Sequence, residues 1–439
     1  MFVRLATSRL ACPPRADQCR PGHPCIGHGL AKWRRVIGMK PAPLPSETIE
    51  KLLLSGGQSR TLPADAYSSA DVFAWEQKEL FEGGWMCLGR LDDLLSPGQL
   101  RAIELGAETI LLSRQPDGHV AAFSNVCRHR GHELLGVGER VDARQIRCPY
   151  HSWAYRLDGT LRNAPTLTQS PGFDVADWPL QSVRVGEWLG WLFVNGSGVG
   201  ETLEATLGSL GAVLASYEPA RLVGAVRHDY EVAANWKLIA ENYLECYHCT
   251  TIHPALCEVS PPSSGRTIPS DGMWCGGTMD LKPQAETMSF SGERRLPRFR
   301  NLASGLEGEV LYLLVMPNLF ISAHPDYLMT HLLTPGSTGR TRVVCEWLFA
   351  PEAAEGDDFD PSYAVDFWDQ TNQEDWAACE GVQRGTSNRG FQPGPLSSWE
   401  SSLAKFHAMI GRAYLGEGFV PPPLVEWDPY IEGSDQTVR

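Results

Sequence analysis

Several things are scarce or missing in this sequence, and each absence excludes something. No apolar run reaches the roughly 20 residues a bilayer-spanning helix needs, so no membrane partner is expected. Excess positive charge is absent: 38 Lys and Arg face 52 Asp and Glu, a net charge of −14. Nucleic-acid phosphates call for a basic face, so no nucleic-acid partner is expected either. The balance suits a cationic substrate or a basic redox partner better. Twelve cysteines in 439 residues are too sparse for a disulfide scaffold, which points to a reducing, cytoplasmic setting. No dinucleotide loop is present, because "GVG" at 136–138 lacks the third glycine. No internal repeat is visible.

The first forty residues lack acids. Arg4, Arg9, Arg15, Arg20, Lys32, Arg34, Arg35 and Lys40 face only Asp17, and no apolar core of a secretory signal is present. Organelle transit peptides share this composition. The plainer reading is a disordered tail over residues 1–44, or an upstream start codon with Met39 as the true beginning. Cys12, Cys19, Cys25, His23 and His28 have too few apolar neighbours to build a metal-binding fold.

What remains is ordinary globular composition, 43% hydrophobic and 21% charged, with length for two or three domains. "SETIEKLLLSG" predicts a helix capped by Ser46 and stopped by Gly56-Gly57. A second helix follows, with Ser68 and Asp71 spaced as a capping box. These two helices, residues 45–84, belong with the larger domain. Residues 85–195 change to short strands separated by Pro97-Gly98, Asp117-Gly118 and Asp158-Gly159 turns, a small all-β domain. Residues 196–439 form the larger domain: a helical stretch, a long loop over 256–308, an antiparallel sheet turning at 336–339, and two closing helices. One closing helix covers 361–384; the other begins at Ser397, with Glu400 three residues on. The fold class is α+β, the small β domain inserted in a domain whose antiparallel sheet is covered by helices.

The small domain carries "CRHRGHELLGVGERVDARQIRCPYHSW". Cys127-x-His129 and Cys148-x2-His151 each supply one thiolate and one imidazole from a tight loop, bent at Gly131 and Pro149. Two thiolates on one iron and two histidines on the other would hold a 2Fe–2S cluster of raised potential. A Cys2His2 zinc site uses the same ligand types, but zinc fingers pair like with like, whereas here each loop mixes them. His132 reads as a surface or outer-shell residue.

The larger domain carries "ENYLECYHCTTIHPA". On a helix Glu245 and His248 share a face, while His248 and His253, five apart, point about 140° apart. Both reach one metal only if the helix widens or ends near 249–252, where Thr250, Thr251 and Ile252 are β-branched and Pro254 follows. Two histidines and a carboxylate make a facial triad for non-haem Fe(II), with open positions for O2 and substrate. Glu245 and Asp375, in "NQEDW", are both candidates for the carboxylate, and spacing does not choose between them. Cys246 and Cys249 by themselves suggest a zinc or redox thiol site.

With both motifs in this order, the chain resembles the large (α) subunit of the Rieske non-haem iron oxygenases over most of residues 45–439. The resemblance implies that Cys127, His129, Cys148 and His151 hold a Rieske 2Fe–2S cluster. It implies that His248, His253 and Asp375 hold mononuclear Fe(II). Glu245 then becomes a bridge, joining His248 to His151 of a neighbouring subunit in a homotrimer. Under the resemblance Cys246 and Cys249 become small apolar fillers, with a Cys-x2-Cys redox pair as the minor alternative. Most relatives that attack aromatic rings carry aspartate at the bridge. The glutamate, with "ENYLECYHC" and "NQEDWAACEGVQRG", looks most like the branch acting on quaternary ammonium compounds such as betaines. The implied activity uses O2 and electrons from a separate NAD(P)H-dependent flavin/iron–sulfur reductase to hydroxylate a small substrate, with oxidative N-demethylation as the result. Alternatives are an aromatic ring-hydroxylating dioxygenase α subunit and a Rieske electron carrier without oxygenase activity.

Overall fold

Strands form where apolar and polar residues alternate. In Gln99–Leu105 the buried side chains are Leu100, Ala102 and Leu105, while Arg101, Ile103 and Glu104 lie nearer solvent. The computed structural model describes residues 39–54 and 60–421. The basic segment over residues 1–38 and the Gly56-Gly57 stop lie outside them. Residues 39–44 are not a loose tail: Ala42 is buried and donates its N–H to Tyr414 O, and Trp75 Nε1 donates to Lys40 O.

The first half builds β1 (Trp85–Arg90), β2 (Gln99–Leu105), β3 (Glu108–Arg114), β4 (Val120–Ser124) and β5 (Arg140–Asp142). It continues with β6 (Ile146–Arg147), β7 (Ala154–Tyr155), β8 (Leu161–Asn163), β9 (Ser182–Trp188) and β10 (Trp191–Asn195). Seven of these form one sheet in the order β1-β10-β9-β4-β3-β2-β5, and β6-β7-β8 form a separate small sheet. The Asp158-Gly159 hairpin joins β7 to β8, with Gly159 at φ 82° as a tight turn needs.

The second half builds β11 (Val223–Val232), β12 (Arg266–Thr267), β13 (Trp274–Asp280), β14 (Glu309–Val315), β15 (Leu319–Ala323), β16 (Leu328–Ser337) and β17 (Arg340–Phe349). They pair antiparallel in the order β11-β17-β16-β15-β14-β13-β12. Three strands differ from the sequence reading. β11 lies in the stretch read as helical, and β12 and β13 lie in the stretch read as loop. Gly276 and Gly277 hid β13 by interrupting its apolar pattern, but its partner β14 supplies the ladder that makes it a strand.

The second N-terminal helix is likewise divided. It runs Ala64–Ser68, then Ala70–Glu76, then one wider π turn over Gln77–Glu82. Ser69, not Ser68, caps the middle piece by accepting from Val72 N–H. The Ser362–Thr386 helix passes through Gly385, and Ser401–Tyr414 follows a capping box between Ser397 and Glu400. Leu403, Phe406, Ile410 and Tyr414 are all buried along that last helix. No helix among the described residues is long and apolar enough to cross a membrane.

Asn318 stitches the two large sheets together: its side chain accepts from Cys87 N–H at 3.1 Å and donates to Cys87 O at 2.9 Å. The N-terminal helices pack on the catalytic side, since Glu76 binds Lys237 and Tyr67 binds Glu241. The β domain is therefore an insertion, as the sequence implied.

Candidate iron centres and substrate cavity

The two Cys/His loops are built alike. In the first, Gly131 N–H returns to Cys127 O at 3.0 Å; in the second, Ser152 N–H returns to Cys148 O at 3.1 Å. Gly131 and Ser152 both take positive φ, 73° and 60°, which closes each turn. Cys127 and Cys148 are buried, and the His129 and His151 rings meet at 4.6 Å between centroids. Trp153 stacks on His129 at 5.0 Å. His129 Nδ1 is buried with no hydrogen-bond partner. Two free thiols, two facing imidazoles and an orphaned ring nitrogen are a donor set that fits a 2Fe–2S group. His132 stays outside it: the residue is exposed and its Nδ1 bonds Glu133 O.

The second site begins with a helix fixed from behind. Trp236–Tyr243 starts on an Asn235 cap, and its Lys237 ammonium is fully buried against Glu76 at 2.7 Å. Glu241 accepts from Tyr67 Oη at 2.7 Å and stands 2.9 Å from His407 Nε2. Such buried polar pairs fix register more than they add stability. The helix stops at Tyr243, so Glu245 and His248 do not share a face of it. The break falls earlier than 249–252 because the Glu245 carboxylate accepts from the Tyr247 and His248 N–H groups. A side chain that satisfies those donors replaces the next helical turn. A single turn, Cys249–Ile252, follows and ends at His253, φ −119° and ψ 66°. No widened turn occurs there.

This interruption brings His248 and His253 together across the five-residue step. Their ligand atoms and that of Asp375, on the Ser362–Thr386 helix, all lie within 4.8 Å of one another. Asp375 Oδ1 stands 2.8 Å from His253 Nε2 and 3.4 Å from His248 Nε2. Glu245 is on the other side of His248, at Nδ1. The geometry thus separates the two carboxylates: Asp375 converges on the shared point, and Glu245 grips the outer nitrogen. Burial opposes charge on all these groups, yet their mutual bonds outweigh it. They lift His248 to about 10 and hold the Asp375 carboxyl at about 2. A carboxylate kept ionised beside two imidazoles is where a divalent cation can displace shared protons, so this donor set fits an iron ion.

A cavity of about 140 Å3 opens on these atoms. Tyr243, Tyr312, Phe320, Trp368 and Trp376 line it, with Asn242, His331 and Asn372. Tyr243 stacks on Phe320 at 4.5 Å. Burial lowers His331 to about 4, so its ring is neutral near pH 7. Arg266 is the cation at the cavity wall, and it is paired with Asp280 at 2.7 Å and Glu309 at 2.9 Å. Tyr327 lies behind the wall, donating to Met288 O.

Two features escaped the sequence reading, and one preference was reversed. Glu374 stands 2.7 Å from His253 Nδ1. Its position beside Asp375 was visible, but nothing in a run of polar residues marked it. Tyr312 and Trp376 reach the cavity through tertiary packing alone. Cys246 and Cys249 are not filler thiols but the Cys-x2-Cys pair that was the minor alternative: their sulfurs are joined, since the turn brings the Cα atoms to 4.9 Å, a normal bridging separation.

A β lobe with paired Cys/His loops, joined to a helix-covered sheet bearing two histidines and a carboxylate, defines a class: a two-centre oxygenase component. Comparison with known proteins agrees. Residues 84–182 match the Rieske 2Fe–2S domain, and residues 219–416 match the catalytic domain of ring-hydroxylating alpha subunits. The chain is similar to the glycine betaine monooxygenase oxygenase subunit of Chromohalobacter salexigens, 30% identical over 365 residues, 77% of this chain and 82% of that protein. It is similar to the carnitine monooxygenase oxygenase subunit of Escherichia coli, 38% identical over 200 residues, 45% of this chain and 53% of that protein. A solved quaternary ammonium Rieske monooxygenase, described for carnitine oxidation, shares the fold at TM-score 0.69 and 24% identity, covering 85% of this chain and 100% of that one. The chain belongs to the Rieske non-haem iron oxygenases, as an oxygenase (α) subunit. Membership implies two cofactors, a Rieske 2Fe–2S cluster and a mononuclear iron.

Proposed function

We propose that this oxygenase component N-demethylates a small quaternary ammonium compound. The observation that carries the reading is the cavity. Its walls are aromatic, and a cation is attracted to ring faces. Its arginine, Arg266, is neutralised by two carboxylates, so the guanidinium does not repel a cationic substrate. At 140 Å3 it is well below the roughly 300–1,000 Å3 of drug-sized sites, which suits a small molecule over a fused-ring one. The relatives named for betaine and carnitine support the same class.

In this reading residues 85–195 carry the cluster on Cys127, His129, Cys148 and His151. Residues 196–439, framed by 45–84, carry iron on His248, His253 and Asp375. When bound, the cluster supplies single electrons and the iron activates O2. The aromatic wall orients an N-methyl group toward the iron ligands. One oxygen atom enters a C–H bond, and the other leaves as water, consuming two electrons and two protons. The N-hydroxymethyl group then expels formaldehyde and a proton, leaving a tertiary amine. Glu245 fixes His248 through Nδ1 and offers its carboxylate as the link to a neighbour's His151 in a trimer. A separate reductase supplies the electrons. Among the described residues seven cysteines are free against the one Cys246–Cys249 pair, a balance that suits a cytoplasmic setting.

The test is substrate-dependent oxygen uptake with a surrogate reductase, comparing betaines with aromatic carboxylates. Uptake stimulated by an N-methyl compound should yield one formaldehyde per O2. Turnover of an aromatic without formaldehyde from any N-methyl compound would overturn the reading.

A further inference from the structure

The net charge of −14 hides an uneven distribution. Between Cys127 and Asn163 lie seven arginines and four acids, Glu133, Glu139, Asp142 and Asp158. None of the seven makes an ion pair; in the whole β domain the paired arginine is Arg114, with Asp92, among the described residues. Many arginines of the catalytic domain behave differently: Arg266, Arg295, Arg340 and Arg342 sit against carboxylates, while Arg60, Arg384, Arg389 and Arg412 are scattered singly or in small groups without one among the described residues. The lobe that carries the cluster motif therefore holds a dense run of guanidinium groups without carboxylate partners, in a chain that is acidic as a whole.

Two of them frame a shallow surface depression on the small β6-β7-β8 sheet, lined by Arg147, Arg162, Gln145, Ser152 and Asn163. Both guanidiniums are exposed and held by neutral partners. Arg147 donates to Ser152 Oγ at 3.1 Å, and Arg162 donates to Gln145 Oε1 at 3.4 Å. Their charges are thus positioned but not cancelled. The depression is also close to the second Cys/His loop: Arg147 adjoins Cys148, and Ser152 adjoins His151.

We infer that this face docks an acidic one-electron carrier protein, the electron-donating domain of the reductase. The inference rests on the reading that a separate reductase feeds the cluster, and it names the surface and the charge of that partner. It also reverses the expectation of a basic redox partner, which followed from net charge alone. Most of the acidic chain repels an acidic carrier, while the arginine face attracts it. Such a contrast steers encounter toward the one place from which the cluster can be reduced.

The experiment uses the cluster- and iron-loaded protein and a plant-type 2Fe–2S ferredoxin, an acidic carrier, as the probe. Cluster reduction is followed by stopped-flow absorbance. The Arg147→Glu/Arg162→Glu variant should reduce about tenfold more slowly at low salt, with a weaker dependence on ionic strength. Arg147→Lys/Arg162→Lys, which keeps the charge, should recover most of the rate. Lys51→Glu/Lys78→Glu, the same charge change elsewhere, should leave it within about twofold of wild type. Reduction by photoreduced deazaflavin, and single-turnover product formation by pre-reduced protein, should be unchanged in all three. An unaltered carrier rate in the glutamate variant overturns the proposal. So does a matching loss in pre-reduced single turnover, because the arginines would then serve contact between subunits. Wild-type protein that is reduced by deazaflavin, turns over, and ignores the acidic carrier overturns the partner's charge while leaving the oxygenase reading intact. Wild-type protein whose cluster takes electrons from neither donor removes the oxygenase reading itself.

Discussion

His253 makes two short contacts, and each involves a different ring nitrogen. Nε2 faces Asp375 and Nδ1 faces Glu374, so the ring is held from both sides. A carboxylate on the outer nitrogen fixes the tautomer that leaves Nε2 as the metal donor, and it raises that donor's basicity. Gln370 in turn holds Glu374, donating to its other oxygen at 2.9 Å. Glu374→Ala should therefore weaken iron binding roughly 10- to 100-fold. Iron retained after dialysis against graded chelator measures this, with unfolding of the metal-free protein as the control. Glu374→Gln, which keeps an acceptor, should lose less. Iron retention equal to wild type in the alanine variant would remove Glu374 from this role. The contrast with the other candidate residues is instructive. Cys127, His129, Cys148 and His151 stood out by spacing within two short loops. Glu374 sits among neighbouring polar residues, and only the packing of its helix against His253 distinguishes it.

At the scale of elements, the site depends on two features that weaken regular structure. The first is the early end of the Trp236–Tyr243 helix, where Glu245 takes N–H groups the next turn would have used. The β-branched run and Pro254 made a break legible, but not its place, because the competing acceptor is a side chain whose position depends on the fold. The second is the Gly276-Gly277 pair in β13. Gly276 has φ 154°, and a Cβ there would run into Tyr312 O and Leu313 Cα of the neighbouring strand β14. Tyr312 lines the substrate cavity, so the glycine lets backbone approach where the wall is built. Gly276→Ala should cost about 2 kcal/mol or more through overpacking and backbone strain. It should also raise KM as β14 moves, with less effect on iron content. Urea unfolding and steady-state kinetics report these separately, and unchanged stability with unchanged KM would show that the close approach is dispensable.

For the whole molecule, the central question is whether an electron stays within one chain or crosses to a neighbour. The proposed trimer answers it in a way that mixed assemblies can check. Subunits bearing Cys148→Ser lack a cluster ligand, and subunits bearing His248→Ala lack an iron ligand. Each homotrimer should be inactive. A purified hybrid of the two should regain about one third of the wild-type rate, since a ring of three with one-way transfer keeps one working cluster–iron pair. Hybrids as inactive as their parents would place the transfer inside a single chain. The sequence by itself determined the chemistry on offer: two Cys/His loops, two histidines at an awkward step, a distant aspartate and an α+β order of elements. These follow from residue type and short spacing, which local geometry translates directly. Tertiary structure alone decided the rest. It brought Asp375, and not Glu245, to the convergent position, made strands of β11, β12 and β13, walled the cavity with Tyr312 and Trp376, and left the arginines of 127–163 without carboxylate partners. The physical reason is common to all four: each depends on groups far apart in sequence, whose meeting is fixed by packing and not by any local pattern.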